Sequence, residues 1–358
     1  MSERVCDRRS FVRVASISGL SLCVACSPHL QDYLHTDVRS TPLALEDWPG
    51  LRPSDAITAL VLRQLRLPGR PLRASQALHY ALLWKANICH FGPTLGTFLR
   101  NLVDGKYTLQ QKPLFFVGAD GLLRTSKDDN QHTESHPDQT LALLGMLGCH
   151  SRFALTSENS IADGIRSVCA RYEFVQEIEW STLSLVHCLP PLRSWCNRRG
   201  EIFSFDSVTQ KIFAEGCGRG ACSGTHRLQL AVSMLRANEM CGILRFRSRN
   251  LLTSFLGNAS RLLVRHQHED GGWGNDWFLA STVGTAEESS IHVTGHHLEW
   301  LLAGRSFHRL DDEVIARAVR YCRENLVAFI EHNHDRRRYL CPAVHAAKCV
   351  AQWDELYG

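Results

Sequence analysis

Three segments of the sequence place two potential metal ligands four residues apart, namely His132 and His136, Cys222 and His226, and His292 and His296. Residues four apart on an α-helix lie on the same face, about one turn from each other, so both side chains of a pair can reach one ion. Two imidazoles at this spacing are one way in which a helix ligates zinc. Any single pair could equally cap a helix or fill a core, so the spacing alone leaves a structural role open.

The residues around these pairs place them at the starts of predicted helices. Each pair follows a polar or glycine-rich segment and precedes an apolar run, as in 216–224 before the run that begins at 225. Asp138 and Glu299 are predicted to orient the imidazoles through hydrogen bonds from their carboxylates. Cys217 and Cys222 are five residues apart, so a disulfide between them is an alternative to ligation by Cys222.

Helical periodicity extends over most of the chain. Apolar residues recur at helical spacing in ten segments, which are 54–66, 72–90, 138–150, 159–172, 178–196, 225–240, 250–267, 287–304, 311–331 and 342–354. The best strand candidate is 114–117, and 100–135 is predicted to be a long, polar, loop-rich insertion. The sequence therefore predicts an all-α fold.

Composition excludes several classes of protein. The 358 residues are 44% hydrophobic and 21% charged, which is typical of a folded globular domain and not of a disordered chain. The net charge of +4 is small and the basic residues are scattered, so no nucleic-acid partner is predicted. The 14 cysteines have neither the spacing of a zinc ribbon nor that of a small disulfide scaffold.

The N-terminus has the form of an export signal. Arg8 and Arg9 precede Phe11 and an apolar run over 14–25, which is too short to span a membrane as a helix. The Arg-Arg-x-Phe-Val stretch resembles the twin-arginine export consensus, although Asp7 replaces the usual Ser or Thr. The resemblance implies a protein of the periplasm or cell envelope.

The signal is predicted to end near Cys26. Residues 23–27 resemble a lipobox, in which the cysteine becomes acylated, and such an anchor would be the chain's only membrane attachment. We therefore predict a signal peptide over 1–26, a proline-containing tether over 27–53 and one domain over 54–358.

A glycine-rich turn gives the helices a predicted arrangement. Gln267 ends a predicted helix, Gly271 and Gly272 permit the positive φ of a tight helix stop, and Trp273 provides a large apolar ring. This stretch resembles the QW motif of terpenoid cyclases, whose fold is shared with protein prenyltransferases. A degenerate second copy lies at 195–203. The resemblance implies an α/α toroid, a ring of helical hairpins.

The toroid would bring the ligand pairs together, because its inner helices begin at one rim of a central cavity. The predicted metal ligands are His136, Cys222, His226 and His292, and zinc is the expected ion. The Asp-x-Asp-Asp and Asp-Asp-x-x-Asp motifs of prenyl chemistry do not occur in the sequence, so the resemblance predicts a fold and not that reaction.

A second resemblance concerns catalysis. The segment 295–300 reads Gly-His-His-Leu-Glu-Trp and resembles a stretch of N-acylglucosamine 2-epimerase-type enzymes, which are also rings of α/α hairpins. The resemblance implies that His296 and His345 exchange protons beside a sugar carbonyl, with Glu299 close by. The implied substrate is a carbohydrate or envelope glycan. A non-catalytic toroid that binds a protein partner is the alternative, so the sequence does not decide whether the protein is an enzyme.

Overall fold

The computed structural model describes residues 36–52, 74–106, 111–128, 131–132, 136–175, 177–191, 194–218, 220, 222–279, 290–333 and 340–357. The predicted signal peptide and the predicted helix over 54–66 lie outside these ranges. The described chain is mostly helical, which confirms the all-α prediction. Each helix within these ranges is too short or too polar to cross a membrane.

Eleven α-helices lie in the described ranges. They are α1 Ala74–Trp84, α2 Leu95–Val103, α3 Gln139–Met146, α4 Ile161–Arg171, α5 Glu179–Cys188, α6 Phe205–Glu215, α7 Thr225–Cys241, α8 Phe246–His266, α9 Ile291–Ala303, α10 Asp312–Asn333 and α11 Leu340–Tyr357. A 3-10 helix, Lys85–Phe91, follows α1. Helices α2 and α6 were not among the predicted segments.

Three short antiparallel hairpins interrupt the helices. They pair β1 Phe115–Val117 with β2 Leu123–Thr125, β3 Lys127–Asp128 with β4 Gln131–His132, and β5 Trp195–Cys196 with β6 Ile202–Phe203. Strand β1 confirms the strand predicted at 114–117. The third hairpin shows that the predicted second QW-like turn at 195–203 is wrong: Trp195 pairs with Phe203, and Asn197 closes the intervening turn by accepting from the backbone of Arg199 and Glu201.

The odd-numbered helices contact one another in a closed order. Helix α1 packs on α3, α3 on α5, α5 on α7, α7 on α9, α9 on α11, and α11 packs back on α1. All ten residues of α5 are buried, whereas α10 buries only one stripe that includes Ile315, Val319 and Cys322. A helix buried on every face belongs to the interior, and an amphipathic helix covers it. The even-numbered helices accordingly pack on their odd-numbered neighbours, such as α10 on α9 and α11.

The turn after α8 fixes α8, α9 and α10 relative to one another. Gln267 Nε2 donates 2.8 Å hydrogen bonds to the carbonyls of Gly271 and Val314, and fully buried Trp273 donates from Nε1 to the Leu263 carbonyl. Gly271 has φ +90°, and a Cβ there would lie 2.5 Å from the Arg317 carbonyl oxygen. The predicted positive φ is therefore confirmed at Gly271 and wrong at Gly272, which is not among the positive-φ residues.

Residues 36–52 do not form the free tether predicted from the prolines. Leu45, Trp48 and Leu51 are buried, and the Trp48 indole donates to the Leu82 carbonyl at the C-terminal end of α1. The backbone N–H of Leu43 donates to the His187 carbonyl at the C-terminal end of α5. The apolar side chains and the unsatisfied carbonyls at these helix ends explain why the segment packs there. We call residues 36–52 the strap.

Candidate functional site

Five imidazoles, contributed by α1, α7, α9, α11 and the turn before α3, form a continuous row. Their ring centroids are separated by 5.1 Å from His136 to His226, 5.0 Å from His226 to His296, 4.0 Å from His296 to His345 and 5.1 Å from His345 to His79. His292 joins the row through His296, with centroids 4.9 Å apart. We call these six histidines with Cys222, Cys341 and Glu299 the His/Cys cluster.

The structure brings together the predicted metal ligands and the predicted catalytic residues. The metal-ligand candidates His136, Cys222, His226 and His292 and the catalytic candidates His296, His345 and Glu299 all lie in the His/Cys cluster. Four groups of three could each hold a metal ion, because their ligand atoms lie within 4.8 Å of one another: His136, Cys222 and His226; Cys222, His292 and His296; His296, Glu299 and His345; His79, Cys341 and His345.

The local geometry differs from the predicted helical spacing in two of the three pairs. His292 and His296 both lie on α9, one turn apart. Cys222 lies in the turn before α7, with φ +50°, and His226 is the second residue of that helix. His132 lies on β4 and His136 in the turn before α3, so the helical spacing predicted for this pair is wrong. His136 reaches the cluster through the turn that precedes α3.

Cys222 is held by contacts on both sides of its turn. Thr225 Oγ1 donates to the Cys222 carbonyl, and the indole of buried Trp277 donates to the Ser223 carbonyl. Buried Arg227 binds Glu179 at 2.8 Å and Glu215 at 3.0 Å, which ties the start of α7 to α5 and α6. Cys217 and Cys222 are both free thiols in this structure.

Trp180 sets the tautomer of His226, and burial keeps the ring neutral. Its indole Nε1 donates to His226 Nδ1 at 3.2 Å, and an indole N–H can only donate. Burial, together with His296 and His136, lowers the pKa of His226 well below its ordinary value. The neutral ring therefore carries its proton on Nε2 and has no lone pair free for a metal ion. This arrangement favours a structural role for His226.

His136 lies at the exposed side of the cluster, with Glu177 Oε2 2.9 Å from its Nδ1. Burial lowers the pKa of His136, but Cys222 and Glu177 outweigh that effect and raise it to about 9. Burial raises the pKa of the Cys222 thiol, but His296 and His136 lower it to about 7. Without an ion, the cluster thus stabilises a thiolate between cationic imidazoles.

Glu299 lies beside two buried imidazoles, those of His296 and His345. Its Oε2 is 2.9 Å from His345 Nδ1 and 3.9 Å from His296 Nδ1, without the alignment of a hydrogen bond, while Lys348 Nζ binds Oε1 at 2.8 Å. Burial raises the pKa of Glu299, but His345 and Lys348 lower it well below its ordinary value. A carboxylate on the Nδ1 side leaves the Nε2 atoms of both rings for another partner, and neither Nε2 has a hydrogen bond within the described chain.

Asp138, the other predicted orienting carboxylate, has different partners. It is buried, and it accepts hydrogen bonds from Arg171 at 2.8 Å and from Ser181 at 2.6 Å. These contacts anchor the start of α3 against α4 and α5. The carboxylate that contacts His136 is Glu177, which the sequence interpretation did not include.

Sequence reasoning also missed His79 and Cys341. Cys341 Sγ lies 3.5 Å from His79 Nε2, and both residues share a potential ion site with His345. Cys341 and His345 have the same four-residue spacing as Cys222 and His226, so this signal was present in the sequence. His79 has no such partner on α1, and only the tertiary fold reveals it.

The two-imidazole reaction implied by the epimerase resemblance requires a substrate between the rings. His296 and His345 have centroids only 4.0 Å apart, which is direct ring contact and leaves no room for a substrate carbon.

No protein family, curated protein or solved structure matches the chain. The roles of the cluster residues therefore rest on their geometry and chemistry.

Proposed function

We propose that the protein is a metal-dependent enzyme with zinc bound by Cys222, His292 and His296. The observation that carries the proposal is the convergence of these three donors, from the turn before α7 and from α9, within 4.8 Å of one another. One thiolate and two imidazoles suit zinc, and three protein ligands leave a coordination position open, as catalytic sites require. Cys222 and His292 are partly exposed, so solvent and substrate have access to this side of the cluster.

The surrounding residues support this ligand set. Glu299 on the Nδ1 side of His296 would orient the ring with Nε2 toward the ion. Burial and the neighbouring His296 lower the pKa of His292 to about 4, so its ring is neutral and able to ligate at physiological pH. Burial lowers the pKa of His296, but Cys222 raises it well above its ordinary value, so ligation by His296 would release its proton. The alternative set of His136, Cys222 and His226 requires His226 to give up its hydrogen bond from Trp180.

A bound zinc ion would polarise a substrate oxygen or lower the pKa of a bound water molecule. The His136–Glu177 pair is the best-placed group to move a proton, because it lies at the exposed side and shares Cys222 as a neighbour. The carbohydrate or envelope-glycan substrate rests on the resemblance at 295–300. A non-catalytic scaffold remains the alternative, and it would need no ion.

Metal content tests the proposal. Wild-type protein purified after growth with zinc and exhaustive dialysis should contain zinc by elemental analysis, and Cys222→Ser and His292→Ala should each lose the ion at this site. His226→Gln is the matched control, since the glutamine oxygen can still accept from Trp180. Loss of zinc from folded His226→Gln, with retention in His292→Ala, would place the ion at His136, Cys222 and His226 instead. A wild-type protein without metal would favour the scaffold.

We also propose that the helices form an α/α toroid and that the protein is exported. The closed contact order of the six odd-numbered helices supports the ring. A crystal structure in which α11 and α1 are not adjacent would contradict it.

Export rests on Arg8 and Arg9, and replacing both with Lys should retain the protein in the cytoplasm of a host with the twin-arginine pathway. Unchanged export of this variant would refute that route.

A further inference from the structure

A second group of donors lies beside the proposed zinc ligands. It consists of His79 on α1 and of Cys341 and His345 at the start of α11. The ligand atoms of all three lie within 4.8 Å of one another, and Cys341 Sγ is 3.5 Å from His79 Nε2. The group has the same composition as the proposed zinc site, with one thiol and two imidazoles.

Because this group is buried, its polar atoms need a bonding partner inside the protein. His79 is 2% exposed and His345 is 4% exposed; Nδ1 of His345 faces Glu299 Oε2 at 2.9 Å, but its Nε2 has no well-aligned hydrogen bond within the described chain. A buried polar atom without a partner costs about 1–3 kcal/mol, so such atoms point to a missing ligand. A cation at this position would satisfy His345 Nε2 and the Cys341 thiolate together.

The two thiols cannot share one ion in this arrangement. Among the described residues, no group of three mutually close donors contains both Cys222 and Cys341, whereas each thiol belongs to a group with two imidazoles. His296 and His345, one from each group, are in ring contact at 4.0 Å between centroids. Glu299 Oε2 approaches both rings and supplies a negative charge between the two groups.

We propose that His79, Cys341 and His345 bind a second divalent cation, so that the His/Cys cluster is a two-metal centre. This inference rests on the proposed function only in counting the ion as the second one, because the two sets of ligands share no residue. Thiolate and imidazole donors select zinc or another late first-row metal ion over magnesium or calcium. The buried site would be the more shielded of the two, and the ion at Cys222 would be the one exposed to substrate.

Titration of the metal-free full chain with Co²⁺ tests the inference, because a thiolate bound to Co²⁺ gives a charge-transfer absorption. The number of equivalents at which this absorption stops increasing is the number of thiolate-containing sites. The wild type should saturate at two equivalents. Cys341→Ser and His79→Gln should each saturate at one equivalent, as should Cys222→Ser, and the double variant Cys222→Ser/Cys341→Ser should give no such absorption. Cys349→Ala is the control on the same helix, because the Cys349 thiol donates to the Gly295 carbonyl and is not a proposed ligand. This variant should still saturate at two equivalents.

The outcomes separate this inference from the proposed function. Saturation of the wild type at one equivalent, abolished by Cys222→Ser and unaffected by Cys341→Ser, would overturn the second site and leave the first. One equivalent abolished by Cys341→Ser and unaffected by Cys222→Ser would support the site described here and overturn the proposed catalytic one. No binding would refute both. Circular dichroism and melting of each variant, with Cys341→Ala as a second replacement, distinguish ligand loss from misfolding.

Discussion

At the scale of single residues, neighbouring charges set the chemistry of the thiols in the cluster. Cys217 and Cys222 lie five residues apart with similar partial exposure, yet their environments differ. Burial raises the pKa of Cys217 to about 11, with Arg227 only partly offsetting it. Burial also raises the pKa of Cys222, but His296 and His136 reverse the effect and lower it to about 7. The imidazole row therefore creates one reactive thiol beside an unreactive one.

We predict that Cys222 of the metal-free protein is alkylated far faster than Cys217 at neutral pH. The thiolate is the nucleophile, so the rate at Cys222 should rise as the pH passes through about 7, and that at Cys217 only near 11. Iodoacetamide labelling followed by peptide mass spectrometry measures both sites in one sample, because Arg219 separates them for trypsin. Zinc should protect Cys222. Equal rates at pH 7 would show that the imidazoles do not act on this thiol.

At the scale of secondary-structure elements, the close approach of α9 and α11 creates the contact between His296 and His345. Gly295 lies at the crossing, where a Cβ would stand 3.0 Å from the backbone nitrogen of Ala346. The Cys349 thiol donates to the Gly295 carbonyl across the same contact. The absence of a side chain at Gly295 thus lets the two helices bring their imidazoles into one cluster.

We predict that Gly295→Ala destabilises the protein by about 1–3 kcal/mol, because the added methyl overpacks a contact made by rigid backbone. It should also weaken metal binding by separating α9 from α11. Gly257→Ala on α8 is the control, since its Cβ would meet only the end of Arg261 at 4.0 Å. That change should stabilise the helix by about 0.5–1 kcal/mol. Urea unfolding of both variants measures the difference, and a Gly295→Ala protein as stable as wild type would contradict the close-approach explanation.

The sequence predicted those elements whose signals are local. The helix periodicity, the ligand pair on α9 and the turn at Gly271 were found because residues near in sequence carry the pattern. Helix α6 was missed although its buried residues Phe205, Val208 and Ile212 recur at helical spacing, so its local signal was present in the sequence. His79 and Glu177 were missed for a different reason, since each reaches the cluster only through contacts between distant segments.

At the scale of the whole molecule, the strap is linked to the cluster through one buried lysine, Lys348. The strap covers the C-terminal ends of α1 and α5, and one of its side chains reaches toward the cluster: Glu46 Oε2 accepts from Lys348 Nζ at 2.6 Å. Lys348 in turn binds Glu299, so one buried cation joins the strap to the carboxylate of the site. Proline content alone predicted a tether here, because the partners that bury Leu45 and Leu51 are distant in sequence.

Lys348→Met should destabilise the protein by about 3–5 kcal/mol, because it leaves the buried carboxylate of Glu299 and that of Glu46 near each other without their shared cation. Glu46→Gln is the matched control: it removes one carboxylate, keeps an oxygen that can accept from Lys348 and leaves the Lys348–Glu299 pair intact. Its cost should be about 1 kcal/mol, since Glu46 is the more exposed partner. Guanidinium unfolding at pH 7 measures both. Equal losses for the two variants would mean that the strap contact, and not the charge on Glu299, dominates the network.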